Sequence, residues 1–115
     1  MSDLKQQFET LSMNFNTHQT QLNDLISSRS KLETQYQENK IVKQEFESLD
    51  EDSKIYKLTG PILLPQDFSE AKMNVNKRIE FIEGEIKRVE TKIESEEKEL
   101  EDTRSKLIAV RSQLQ

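Results

Sequence analysis

The sequence predicts an all-α protein with one small β element: a long antiparallel two-helix coiled coil joined by a single β-hairpin. Three observations lead there: an apolar 4-3 repeat in each half, a centre broken by Pro61 and Pro65, and flanking helical runs of nearly equal length. The first helix is expected over about 3–50, the hairpin over about 54–65 and the second helix over about 68–114, in one domain spanning 1–115.

Composition narrows the field first. Of 115 residues, 32% are hydrophobic and 34% charged, and the mean hydropathy is -0.87. A compact globule of this size needs more apolar side chains. What remains is disorder or a helical structure that buries only a narrow stripe, and periodicity decides between them. There is no cysteine and only one histidine, His18, which excludes disulfide scaffolds, thiol nucleophiles and cysteine metal sites. No apolar run reaches transmembrane length, and the N-terminus lacks the layout of a signal peptide, so a soluble cytoplasmic protein without a membrane partner is expected. A net charge of -5 argues against a nucleic-acid partner, because phosphate binding needs clustered Lys and Arg.

In the first half the 4-3 spacing runs through Leu4, Phe8, Leu11, Phe15, His18, Leu22, Leu25, Arg29, Leu32, Tyr36, Asn39, Lys43 and Phe46. Neither proline nor glycine interrupts it. A sustained apolar repeat of 3.5 residues marks a coiled coil. The polar members His18, Arg29, Asn39 and Lys43 weaken the seam locally and are expected to pack within it or fix its register. The second half repeats the pattern at Phe68, Lys72, Val75, Ile79, Ile82, Ile86, Val89, Ile93, Glu96, Leu100, Thr103, Leu107, Val110 and Leu114. Asp67 with Glu70 reads as a capping pair, and Asp102 with Lys106 is an i,i+4 pair in the favoured order. Gly84 lies off the seam. Each helix would be about 70 Å long, so folding back pairs the seams within the chain. Packing is expected to be tightest near the hairpin, at Ile86 and Val89, and loosest at Leu114.

Between the helices, Ile55-Tyr56-Lys57-Leu58 and Ile62-Leu63-Leu64 are strand-like, and Gly60 supplies the turn. Pro61 and Pro65 forbid a continuous helix. An isolated hairpin is marginally stable in water, and three successive apolar residues put apolar side chains on both faces. Narrow helix ends cover one face at most, so hairpins from several subunits are expected to join in a shared sheet or barrel.

The segment from Ile55 to Leu64, with Gln66-Asp67, resembles the hairpin of β-class prefoldin subunits. Ala71-Lys72, Val75, Lys77-Arg78-Ile79-Glu80-Phe81-Ile82 and Glu85-Ile86-Lys87-Arg88 resemble the start of their second helix. Pro65 departs from the non-proline residue usual there. The resemblance implies a hexamer of two α-class and four β-class subunits whose hairpins form a double β-barrel platform. On that reading, Ile55, Tyr56, Leu58, Gly60, Pro61, Ile62, Leu63 and Leu64 carry subunit assembly. The partners would be two α-class and three further β-class subunits, unfolded actin and tubulin, and the cytosolic chaperonin that receives them without ATP. An α-class subunit needs two hairpins, and the linker here holds one.

Client-binding candidates come from position. Folding back places residues 1–15 and 104–115 together at the far tip, where terminal turns fray for want of backbone partners. Phe8, Leu11 and Phe15, with Leu107, Val110 and Leu114, would expose apolar surface there. Met13 and Ile108 fall off the seam, and Met1 adds an adaptable side chain. The acidic stretch 94–102 reads as a solvated helix face. No phosphate loop, nucleophile–base pair or metal-ligand cluster is present, so neither an enzyme nor a cofactor is expected. The rival reading is a structural or scaffolding coiled coil, which would need neither a two-faced apolar hairpin nor matched helices.

Overall fold

A computed structural model describes residues 2–48 and 65–115, with side chains of 3–48 and 69–115. The expected hairpin, with Ile55, Tyr56, Leu58, Gly60, Pro61, Ile62, Leu63 and Leu64, lies outside the described residues, as does Met1. Among the described residues there is no strand; they form two helices, α1 at Ser2–Ser48 and α2 at Pro65–Leu114.

The helix boundaries follow from local chemistry. Toward its end, α1 has the Ser48 hydroxyl donating to the Glu45 carbonyl at 3.0 Å, which gives a partner to one of the last carbonyls, otherwise left without one. The start of α2 corrects the sequence reading. Pro65 is a helical residue, not the end of a strand, and Asp67 lies inside the helix instead of capping it. Proline suits the first helical position because its missing N–H would have had no intrahelical partner and its φ is already helical. At the other end the Gln115 amide donates to the Arg111 carbonyl at 3.2 Å, and Arg111 sets a cation in the last turn, where the helix dipole favours it.

The described residues fall into two compact units: those within Lys31–Lys87, and those within Met1–Ser30 and Arg88–Gln115. In the first, Phe46, Val75 and Ile79 form the core, with Tyr36 and Ala71 packed against them. Ile82, at 4% exposure, is also buried. Burying each such side chain contributes roughly 1.5–3 kcal/mol. The Lys40 ammonium sits over the Tyr36 ring, 5.3 Å from its centre, a contact of about 0.5–1 kcal/mol at an exposed site. Ile86 and Val89, expected to be the best packed, are only half-buried. Packing is closest nearer the linker, where the large Phe46 ring joins Val75 and Ile79.

In the second unit the helices run antiparallel, since His18 on α1 meets Glu96 and the later Arg29 meets the earlier Glu90. His18 Nδ1 and Glu96 Oε2, both partly buried, lie 2.7 Å apart. Two seam positions thereby satisfy each other as a polar layer, the kind of device that fixes register in a coiled coil. Arg29 behaves differently. Its guanidinium leaves the seam for solvent and donates to Glu90 Oε1 from Nε at 3.2 Å and from Nη2 at 2.9 Å. The long stem allows this, and an exposed pair adds only about 0–1 kcal/mol. Thr103 is buried, its hydroxyl donating to the Glu99 carbonyl one turn back at 2.7 Å.

Gly84 faces open space, because a Cβ built on it meets nothing within 4 Å. Mid-helix glycine costs about 1 kcal/mol against alanine. Gly84→Ala is therefore expected to raise Tm by a few degrees in a thermal melt followed by circular dichroism. A lower Tm would contradict an open surface at this position.

Candidate functional site: the apolar surface at the helix ends

The start of α1 and the end of α2 fall in one unit, so the described candidate residues within 2–15 and 104–115 share a neighbourhood. On α1, Phe8, Leu11 and Phe15 follow the 4-3 spacing and are half-buried against α2; Leu107 and Val110 do the same from α2. The off-seam residues behave as their spacing demands. Met13 is 69% exposed and Ile108 60%, and Leu114, at the end of α2, is 39% exposed.

Two open grooves flank this helix pair. One, of about 380 Å³, is lined by Phe8, Ser12, Phe15, Arg104, Leu107, Ile108 and Arg111. The other, of about 720 Å³, is lined by Asp3, Gln6, Gln7, Thr10, Leu11, Lys106, Ala109 and Val110. The first brings Phe8, Phe15, Leu107 and Ile108 together, and the second joins Leu11 to Val110. Met13 and Leu114 line neither groove, and Met1 lies outside the described residues.

Sequence reasoning missed several features. Arg104 and Arg111 stand at i,i+4 and i,i+3 from Ile108, a spacing that puts all three on one strip of α2 and could have flagged them. Large apolar side chains are also exposed at Ile26, Ile41, Val42, Met73 and Phe81. Their signal was available too, since each falls outside the 4-3 seam. The acidic stretch reads as expected for its exposed members: Glu94, Glu97 and Glu99 face solvent, and Asp102 pairs with Lys106 at 3.1 Å.

The linings of both grooves mix apolar and charged side chains. Among the described residues there is no group of three His, Asp or Glu side chains able to hold a metal. No helix among them is long and apolar enough to cross a membrane. The molecule thus belongs to the class of paired-helix coiled-coil proteins that present apolar surface at their helix ends.

Comparison with known proteins narrows that class. The chain matches the prefoldin subunit family over residues 4–113. It is 51% identical over 108 residues to Prefoldin subunit 6 of Saccharomyces cerevisiae, covering 94% of this chain and 89% of that protein. It is 46% identical over 89 residues to Probable prefoldin subunit 6 of Caenorhabditis briggsae, covering 77% and 70%. Prefoldin subunit 6 of Homo sapiens is 39% identical over 97 residues, covering 84% and 75%. No solved structure matches. The chain belongs to the prefoldin family and is a helical coiled-coil chaperone subunit.

Proposed function

We propose that this chain is a β-class subunit of a cytoplasmic, ATP-independent hexamer built with two α-class and three further β-class subunits. It holds unfolded chains, actin and tubulin among them, on the apolar surface at its helix ends and passes them to the cytosolic chaperonin. The observation that carries this reading is the exposure of Met13 and Ile108 beside the half-buried Phe8, Phe15 and Leu107. Unfolded chains have no fixed shape, so scattered apolar patches suit them better than a rigid pocket. Linking several weak contacts across six arms raises avidity by roughly 10²–10⁴. The linker length supports the β-class reading, because residues 49–64 leave room for one hairpin and an α-class subunit needs two.

A scaffolding coiled coil remains the contrasting function, and one experiment separates them. Deleting residues 1–11 and 107–115 should leave assembly intact while suppression of aggregation of a diluted denatured protein falls several-fold. Light scattering without nucleotide reads the result. If the truncated complex suppresses aggregation as well as the full-length one, the client surface lies elsewhere.

A further inference from the structure

We propose that the groove lined by Phe8, Phe15, Leu107 and Ile108 selects client segments that join large apolar side chains to aspartate or glutamate. This rests on the client-holding reading above and adds a sign of charge to it. Arg104 and Arg111 both line this groove, and no carboxylate does. Neither guanidinium makes an ion pair among the described residues. Glu101, a turn before Arg104 on α2, is exposed and does not line the groove.

The other groove supplies the contrast. Its one cation, Lys106, is already paired with Asp102, and Asp3 brings a carboxylate to that groove's own lining. In a chain of net charge -5, the lining of the Phe8 groove therefore joins two cations to four apolar side chains without a carboxylate. Guanidinium groups bind carboxylates through paired N–H donors. A segment placing an apolar side chain beside Ile108 would bring its neighbouring carboxylates within reach of both arginines. A segment with lysine in those places would meet like charge, and such complementarity at a rim serves specificity more than raw affinity.

The test uses the full-length chain and three fluorescent peptides sharing one Phe/Leu pattern, flanked by Glu, Gln or Lys. In fluorescence anisotropy the Glu-flanked peptide should bind roughly three- to tenfold tighter than the Lys-flanked one, and the gap should shrink with added salt. Arg104→Gln with Arg111→Gln should abolish the gap, bringing the Glu-, Gln- and Lys-flanked peptides to one common affinity. Arg104→Lys with Arg111→Lys should keep most of the gap. Helix content by circular dichroism checks that each variant is folded. Equal affinities in the unaltered chain, or a gap that survives the double Gln change, overturn the selectivity alone. Failure to bind even the Gln-flanked peptide overturns the client-holding reading and this inference with it.

Discussion

Ile79→Ala is expected to cost about 2–5 kcal/mol, while Leu114→Ala costs well under about 1 kcal/mol by the same cavity logic. Ile79 is 7% exposed and packed in the cluster with Phe46 and Val75, whereas Leu114 is 39% exposed in the last helical turn. Removing three carbons at Ile79 leaves a space inside the cluster it forms with Phe46 and Val75. At Leu114 water already occupies much of the surroundings. In a thermal melt the first variant should lose on the order of 10 °C and the second a degree or two. Ile86→Ala should fall between them, since Ile86 is half-buried. Equal losses at Ile79 and Leu114 would contradict the graded packing of the seam.

That gradation marks how far the sequence could be read. Among the described side chains, every seam position assigned by the 4-3 spacing is buried or half-buried except Arg29 and Leu114. Spacing alone carried the helix pairing because a repeat of 3.5 residues leaves only one face to bury. Arg29 escapes because its stem is long enough to reach Glu90 in solvent. The direction of the gradient, tight towards the linker and loose at Leu114, was legible, but the best-packed positions were not. They depend on which side chain stands opposite, and Phe46 opposite Val75 and Ile79 is a tertiary fact. Likewise a seam histidine could be read as packing or register, but its partner Glu96 lies 78 residues away. The start of α2 was misread because Asp67-x-x-Glu70 imitates a capping box, while Pro65 is itself a good first helical residue.

The candidate site was legible in its apolar part and not in its charges. Met13 and Ile108 follow from the seam by elimination, whereas Arg104 and Arg111 are unremarkable in a sequence holding 17 Lys and Arg. They gain meaning only beside Phe8 and Phe15 from the other helix.

Leu58→Asp or Ile62→Asp is expected to abolish assembly with partner subunits while leaving most of the helix in place. Both residues flank Gly60-Pro61 in the sequence and lie outside the described residues, so the expectation rests on the sequence and on what the helices have already used. Phe46, Val75 and Ile79 bury against one another within the chain, so these three seam residues have little apolar surface left for the linker. On the hairpin reading, Ile62, Leu63 and Leu64, with Ile55 and Leu58, would carry apolar side chains on both faces, and the narrow helix ends would cover one at most. Strand addition between subunits would cover the other and would also pair the free edges. An aspartate in that shared layer becomes a buried charge without a partner, which costs several kcal/mol. The seam residues of α1 and α2 are untouched, so the circular dichroism spectrum should change little. Size-exclusion chromatography after co-expression with an α-class prefoldin subunit reads the outcome: the altered chain should elute apart from its partners. A variant that still co-elutes in a complex of full size would sink the shared-barrel reading and leave the hairpin residues as a local cover for the helix ends.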